Sequence, residues 1–96
     1  MYAGAKGGVI AFTKSLAREV VRHGVRVNCV SPGPTDTPLY DTLPEGIKAA
    51  LVKAIPMRRL ARPSEIADAI TFFASSRASF VTGQVLSVSG GLTMVD

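Results

Sequence analysis

Apolar residues recur every three or four positions through the first quarter of the chain. Val9, Phe12 and Leu16 belong to this series, and basic residues mark the opposite side of the same stretch. The spacing matches the 3.6 residues of an α-helical turn, so the pattern predicts an amphipathic helix over residues 2–23. Gly24 follows directly and suits a helix end, because glycine adopts the left-handed conformation there without a Cβ penalty.

The rest of the chain alternates β-rich runs with segments interrupted by proline. The run 25–31 predicts a strand that stops at a Ser-Pro-Gly-Pro sequence, which is typical of a turn. Residues 38–63 contain several prolines around one short amphipathic pattern, so we expect an irregular segment with a helix inside it. A helix capped by Ser64 is predicted over 64–76, and a strand over 84–89. This order predicts an α/β fold with parallel strands.

The strongest chemical pattern is a tyrosine and a lysine four residues apart at the start of the first helix, Tyr2 and Lys6. On a helix this spacing places both side chains on one face, one turn apart. A neighbouring ammonium group and the positive end of the helix dipole both favour a phenolate, which suits a phenol to proton transfer near neutral pH. The same spacing also occurs by chance at helix starts, so the pair alone leaves both interpretations open.

Three segments in order resemble the short-chain dehydrogenase/reductase family. They are Tyr-Ala-Gly-Ala-Lys-Gly-Gly at 2–8, Val-Arg-Val-Asn-Cys-Val-Ser-Pro-Gly-Pro-Thr-Asp-Thr at 25–37, and Phe-Val-Thr-Gly-Gln-Val-Leu-Ser-Val-Ser-Gly-Gly at 80–91. The resemblance covers nearly the whole chain and looks most like the 2-hydroxycyclohexanecarboxyl-CoA dehydrogenase and 3-oxoacyl-carrier-protein reductase types. It implies that residues 1–96 are the C-terminal part of a Rossmann-like, doubly wound parallel sheet, incomplete as a domain.

The resemblance also implies an activity and a site. The activity is hydride transfer between NAD or NADP and a secondary alcohol or ketone, with a hydroxyacyl thioester such as an acyl-CoA as a candidate substrate. By position in the family motif, Tyr2 is the general acid and base, while Lys6 assists it and binds the nicotinamide ribose. The loop 32–37 holds the nicotinamide end of the cofactor. The cofactor-binding residues implied in this way are Tyr2, Lys6, Pro32, Gly33, Thr35 and Thr37. The resemblance implies no metal.

By the same resemblance, the irregular segment 38–63 is a substrate lid. Its larger apolar residues either line an acyl pocket or pack the small helix onto the domain, and the sequence leaves both interpretations open. These residues are Leu39, Tyr40, Leu43 and Leu51. A loose basic cluster near the end of the segment either meets the phosphates of a coenzyme A or carrier-protein arm or forms a solvated surface. Its members are Lys53, Arg58, Arg59 and Arg62.

Other family motifs are not found in the 96 residues. The Gly-x-x-x-Gly-x-Gly dinucleotide loop and the catalytic serine precede the tyrosine in the family, whereas the tyrosine here is residue 2. We therefore expect the chain alone to be inactive and to bind no cofactor tightly. We also expect it to need a complementing N-terminal half or to form a homo-oligomer. Two alternatives stay open, a non-catalytic self-association module and a truncated gene product.

Composition narrows the choice of partners and compartment. The net charge is +4, but the basic residues are scattered and accompany no nucleic-acid motif, so we expect no nucleic-acid partner. An apolar content of 47% is high for so short a chain and predicts surfaces that pack against a partner. The single cysteine, Cys29, excludes an internal disulfide. Without a signal peptide or a membrane-spanning run, these features favour a cytoplasmic protein.

Overall fold

The computed structural model describes the backbone of residues 2–93 and the side chains of residues 4–93. In this part of the chain two strands, β1 (Cys29–Pro32) and β2 (Val85–Val88), form a two-stranded parallel sheet, with Cys29 opposite Val85 and Pro32 opposite Val88. The expected α/β fold with parallel strands is thereby confirmed. The elements in chain order are α1 (Tyr2–Val20), β1 (Cys29–Pro32), α2 (Pro38–Asp41), α3 (Glu45–Ala54), α4 (Pro63–Ala74) and β2 (Val85–Val88).

The first helix ends where the sequence predicts. After α1 the chain tightens into a 3-10 turn, Val21–His23, and Gly24 follows with φ of 74°. The N–H of Gly24 donates to the carbonyl oxygen of Val21 at 3.0 Å, which satisfies one of the free carbonyls of the helix end. A left-handed glycine after the last turn is thus the stop signal, as the sequence indicated.

Strand β1 begins four residues later than the predicted span 25–31, at Cys29. Its partner β2 begins at Val85, opposite Cys29, so the residues before Cys29 lie beyond the paired ladder. Backbone and side chains both hold them: the N–H of Gly83 donates to the carbonyl oxygen of Val27 at 2.7 Å, and the side-chain amide oxygen of Asn28 accepts the N–H of Gln84 at 3.0 Å. The β-rich composition identified an extended segment correctly, but it could not indicate where the partner strand starts.

Arg26 fastens this extended segment to the end of α4. Its guanidinium group donates to the carbonyl oxygens of Phe73 at 2.7 Å and Ala78 at 2.9 Å, and more distantly to that of Ser75 at 3.4 Å. The last carbonyls of a helix have no partner within the helix and carry its negative dipole end. One arginine therefore supplies hydrogen-bond donors to the free carbonyl groups at the carboxyl end of α4 and fixes that end beside the segment before β1.

The fourth helix begins one residue before the predicted span 64–76, and its cap differs from the prediction. Arg62, not Ser64, is the N-cap residue, and Pro63 is the first helical residue. Proline suits that position because its missing N–H would have no helical partner there. The carboxylate of Glu65 accepts the backbone N–H of Arg62 at 2.9 Å, so the acidic residue caps the helix from its third position.

Buried side chains are few among those described. The buried apolar ones are Ala17, Ile55 and Ala78, and the buried polar ones are Thr13 and Ser89. Much apolar surface is left uncovered, as on α1, where 67% of Phe12 is exposed. Among the residues described, none of the helices is both long enough and apolar enough to cross a membrane.

Candidate active site

Lys6 lies beside the carboxyl end of β1. It lines an open groove of about 270 Å³ together with Val9 and Ile10 of α1 and with Ser31 and Pro32 of β1. The α1 helix supplies one wall, and its apolar side chains make most of that wall non-polar. In open α/β sheets, ligands bind outside the carboxyl ends of the parallel strands. The groove runs along the whole of β1 and reaches Val85 at the start of β2, so only its Pro32 end lies where this kind of sheet holds a ligand.

Tyr2 belongs to the first turn of α1, one turn before Lys6. Its side chain lies outside the residues whose side chains the structure describes, so its pairing with Lys6 stays a prediction. The described first turn of α1 contains no acidic residue. The positive end of the helix dipole is therefore not neutralised locally, and any phenolate formed at this end is favoured by it.

Gly33 anchors the loop after β1 to the end of β2. Its N–H donates to the carbonyl oxygen of Val88 at 2.9 Å. A Cβ at Gly33 would lie 2.7 Å from the Cβ and 2.8 Å from the Cα of Ser89, closer than carbon atoms approach. Only glycine fits this contact. Pro32, expected to shape the turn, is instead the last residue of β1, so the turn itself starts at Gly33.

The next part of the loop pairs with the segment that precedes α4. Ala61 donates its N–H to the carbonyl oxygen of Pro34 at 3.1 Å and accepts the N–H of Asp36 at 2.8 Å. These two bonds flank Thr35, which forms an isolated parallel bridge with Ala61. In such a bridge the N–H and C=O of the flanked residue point away from the partner. The backbone groups of Thr35 are therefore not used by this pairing.

The two threonine hydroxyl groups of the loop differ in their partners. The hydroxyl of Thr35 donates to the carbonyl oxygen of Gly33 at 2.9 Å and so stabilises the loop itself. Thr37 is the N-cap residue of α2, but its side chain makes no capping hydrogen bond. Its carbonyl oxygen accepts the N–H of Tyr40 at 3.0 Å. The Thr37 hydroxyl is thus not consumed in starting the helix.

Comparison with known proteins shows the family. A family model described as enoyl-(acyl carrier protein) reductase matches residues 1–93. The 3-oxoacyl-(acyl-carrier-protein) reductase of Vibrio harveyi is 49% identical over 94 residues, which are 98% of this chain and 38% of that protein. The cis-4-hydroxycyclohexanecarboxylate dehydrogenase of Sinomonas cyclohexanicum is 49% identical with the same two coverages. The chain belongs to the short-chain dehydrogenase/reductase family.

A solved structure agrees with this membership. The crystal structure of 3-oxoacyl-(acyl-carrier protein) reductase from Brucella melitensis superposes with a TM-score of 0.93 at 42% identity. The match covers 98% of this chain and 35% of the chain in that crystal structure. The resemblance inferred from the sequence is thus confirmed, and the chain spans only about 38% of the length of the curated relatives it matches.

The predicted lid residues of this family member take different environments. The hydroxyl of Tyr40 donates to the carbonyl oxygen of Lys48 at 2.9 Å, and the ammonium group of Lys48 lies 5.8 Å from the centre of the tyrosine ring. Tyr40 therefore packs α2 against α3. Leu39 is 78% exposed, while Leu43 and Leu51 are half-buried. An acyl pocket formed by these residues stays a prediction.

The basic cluster is largely engaged within the chain. Arg59 donates two hydrogen bonds to the carboxylate of Glu65, at 2.7 and 2.8 Å, and Arg62 lies 3.7 Å from the same carboxylate. The hydrogen bonds from Arg59, and then the backbone N–H of Arg62, lower the pKa of Glu65 to about 2. Arg58 donates to the carbonyl oxygen of Lys53 at 2.7 Å, at the end of α3. This arrangement favours a structural role over a phosphate site.

Sequence reasoning missed the residues that position the loop. Ser89 and Ala61 supply the close contact and the hydrogen bonds that hold it, but neither carries a distinctive motif. Gly33 was identified through its Pro-Gly-Pro setting. Position 33 must be a glycine because of Ser89, which lies 56 positions later in the sequence. The Cβ of Ser89 is only 2.7 Å from the place that a Cβ of residue 33 would occupy. That kind of signal is not visible in one sequence.

Proposed function

We propose that this chain forms the C-terminal part of the active site of an NAD- or NADP-dependent oxidoreductase. The reaction is hydride transfer between the nicotinamide and a secondary alcohol or ketone, and the substrate class we favour is a hydroxyacyl thioester. The observation that carries the proposal is the groove between α1 and β1 that Lys6, Ser31 and Pro32 line, with Tyr2 one helical turn from Lys6 along α1. The names of the relatives, a reductase and a dehydrogenase, support the reaction class.

Residues of the groove and of the loop after β1, which does not itself line the groove beyond Pro32, together suit the nicotinamide end of a dinucleotide. Lys6 offers up to three N–H donors for ribose hydroxyl groups. The backbone N–H and C=O of Thr35 complement a carboxamide, and the hydroxyl of Thr37 offers a further polar contact. Val9 and Ile10 supply apolar surface for a flat ring. When bound, the cofactor gives hydride to the substrate carbon or takes it away.

The proton is moved by the chain's own residues. During reduction Tyr2 donates its phenolic proton to the oxygen of the ketone, and in the reverse direction its phenolate takes the proton of the alcohol. The positive charge of Lys6, one turn along α1, favours the phenolate, as does the amino end of the helix. Both effects bring the phenol closer to the neutral range in which an acid and base works well.

The remaining parts of the enzyme come from outside these residues under this proposal. We infer that a complementing N-terminal half supplies the adenosine and pyrophosphate sites, and that the chain alone binds the cofactor weakly and is inactive. A homo-oligomer and a cytoplasmic location are part of the same proposal. They are supported by the apolar content of 47% and by the presence of only one cysteine.

A chimera tests the proposal directly. The matching C-terminal segment of the Vibrio harveyi reductase is replaced by this chain, and oxidation of NADPH and NADH is followed by absorbance with a 3-oxoacyl thioester. We expect turnover, and we expect Tyr2→Phe to lower kcat by about 10² to 10⁴, the typical contribution of a positioned acid or base. Lys6→Ala should lower kcat as well. Lys14→Ala is the matched control, because Lys14 is also half-buried on α1 but lines a different groove with Gly83 and Gln84.

Two results would contradict the proposal. A chimera that shows a folded far-ultraviolet spectrum and binds reduced cofactor, yet reduces no ketone, would exclude the reaction. A Tyr2→Phe chimera as active as its parent would exclude Tyr2 as the acid and base. Equal losses for Lys6→Ala and Lys14→Ala would mean that the loss reflects helix damage and not the chemistry of the groove.

A further inference from the structure

The helical part of the predicted segment 38–63 consists of α2, α3 and the turn between them, residues 38–54, and only this part is called the lid from this point on. Its hydrogen bonds are made mainly within the lid. The hydrogen bond from the hydroxyl of Tyr40 to the carbonyl oxygen of Lys48 ties the two helices together. None of the described side chains in α2 or α3 is buried. Within the part of the chain that the structure describes, the lid is therefore held mainly by its two connections to the rest of the fold.

Both connections of the lid meet at the loop after β1. The chain enters the lid at Thr37 and leaves it through the stem, residues 55–61. Ala61, at the far end of the stem, is hydrogen-bonded to Pro34 and Asp36, next to the entry. The entry of the lid and the far end of the stem therefore lie side by side, joined by these two hydrogen bonds. The bonds fix the ends of the segment but not the orientation of the two helices between them.

The near end of the stem has a second attachment, on two glycines after β2. Ile55 is only 1% exposed and is the largest fully buried side chain among those described. A Cβ at Gly90 would lie 2.9 Å from Cγ2 of Ile55. The N–H of Met57 donates to the carbonyl oxygen of Gly90 at 3.1 Å. The stem is thus pressed onto the backbone of Gly90 at a distance that leaves no room for a side chain.

Gly91 continues this contact. A Cβ there would lie 3.2 Å from Cβ and Cγ of Pro56. Gly90 and Gly91 have φ of 63° and 93°, in the left-handed region that glycine adopts freely. We call these two glycines the seat of the stem. The residue just before the seat, Ser89, is the one that touches Gly33, so a single turn contacts both the loop after β1 and the stem.

We propose that Gly90 and Ile55 are positioning residues: the seat fixes the stem, and the stem sets how the lid is held relative to the loop after β1. The inference rests on the proposed function, because the lid covers a substrate only if the groove is the active site. A displaced stem would hold the lid away from the groove and weaken substrate binding, while the proton-transfer groups on α1 stay in place.

The full chain, carried in the chimera described above, is tested as Gly90→Ala. The matched control is Gly24→Ala, because Gly24 has φ of 74° but no atom within 4 Å of its Cβ position. Both variants put an alanine in left-handed backbone, and only Gly90→Ala also pushes on the stem. The first measurement is the rate of tryptic cleavage at Lys53 and Arg58, which are exposed on either side of Ile55. The second is steady-state kinetics with the ketone substrate.

We expect Gly90→Ala to raise the cleavage rate and KM each by about tenfold, a typical consequence of overpacking a close contact, and to leave kcat within about twofold. Gly24→Ala should change cleavage and KM by less than about twofold, since it meets no neighbour. The double variant Gly90→Ala with Ile55→Leu should return both quantities toward the parent. Leucine has the same volume as isoleucine but carries no methyl branch on Cβ.

Equal cleavage rates in Gly90→Ala and Gly24→Ala would refute the claim that Gly90 holds the stem in place. A fall in kcat with KM unchanged would overturn the positioning role, because it would mean that the chemistry and not the lid is disturbed. Failure of the double variant to recover either quantity would show that Ile55 is not what the added methyl meets. If the parent chimera turns over no ketone, the proposed function fails, and the cleavage rates still decide whether the seat holds the stem.

Discussion

Replacing Gly33 by alanine would place a methyl group where the structure has no room for one. The Cβ position of Gly33 lies 2.7 Å from Cβ and 2.8 Å from Cα of Ser89. One of these atoms is backbone, and Ser89 is buried with 6% exposure, so the neighbour cannot simply rotate away. The contact can be relieved only by moving the loop away from the end of β2.

The cost follows from this geometry. Carbon atoms prefer separations of about 3.5 to 4.0 Å, so the loop must move by about 1 Å. Overpacking of this kind costs about 1–3 kcal/mol. The movement also stretches the 2.9 Å hydrogen bond from Gly33 to Val88, whose net contribution is about 0.5–1.5 kcal/mol. We therefore expect Gly33→Ala to lower the free energy of unfolding by about 2–4 kcal/mol.

Thermal unfolding of the chimera, followed by circular dichroism, measures this loss. A change of 1 kcal/mol shifts Tm by about 2–4 °C in a protein of about 150–250 residues, so Gly33→Ala should lower Tm by about 5 °C or more. The control is Gly46→Ala in α3, where no atom lies within 4 Å of the Cβ position. That variant should melt at or slightly above the parent Tm, because alanine is the better helix former. If the two variants melt together, the close approach of the loop to Ser89 does not exist.

Two further predictions concern charged side chains. Arg26→Met should lower the free energy of unfolding of the chimera by about 2–4 kcal/mol, because it leaves the carbonyl groups at the end of α4 without their charged donor; thermal unfolding checks this, and a loss no larger than that of the exposed control Arg77→Met would contradict it. The lowered pKa of Glu65 predicts that its bonds to Arg59 stabilise the fold fully above the ordinary value of 4.5, and that this contribution disappears as the pH falls through about 2. The Tm difference between the parent and Glu65→Gln should therefore shrink over that interval, and a difference that stays constant down to pH 2 would refute the assignment.

The elements with local signals were predicted well from the sequence. The apolar period identified α1, and Gly24 marked its end because the left-handed conformation is a property of one residue. The strand β2 lies within its predicted span, 84–89, and runs from Val85 to Val88. For α1 and its end the deciding interactions join residues that are close in the sequence, and residue preferences report such interactions directly. The span of β2 agrees as well, although its ladder partner β1 is distant in the sequence.

Two of the errors arise where distant residues decide, and the third, at the cap of α4, is a choice between neighbouring residues. β1 starts at Cys29 because β2 starts opposite it, and a single strand carries no record of its partner's length. Arg26 precedes β1 and is bonded to Phe73, 47 residues away, although its position in a β-rich run suggested an ordinary strand residue. The cap of α4 shifted from Ser64 to Arg62 because Pro63 and Glu65 together favour the earlier start.

The residues of the candidate site also differ in whether local patterns or distant contacts indicate their role. Its candidate reactive residues can be proposed from local patterns, the spacing of Tyr2 and Lys6 and the Pro-Gly turn, and their chemistry stays a prediction. The contacts that position the loop and the stem cannot be predicted in this way, because Gly33 meets Ser89 and Gly90 meets Ile55, which are distant in the sequence. Residues that fix the backbone of the candidate site therefore carry no distinctive signal in one sequence.

The apolar face of α1 is correctly predicted as a helix face, but nothing among the described residues packs against most of it. The period predicts burial, yet 51% of Val9 and 67% of Phe12 are exposed. Isolated exposed apolar residues are ordinary, but a periodic series on one helix face indicates a packing surface. The relatives that match 98% of this chain are much longer than it, since the matched part is only 38% of their length. We therefore expect this face of α1, which also supplies the wall beside Lys6, to pack against another protein surface. Because Val9 lines the groove as well, a surface that covers Val9 also borders the groove, and the contact that completes the packing of α1 would shape the candidate site.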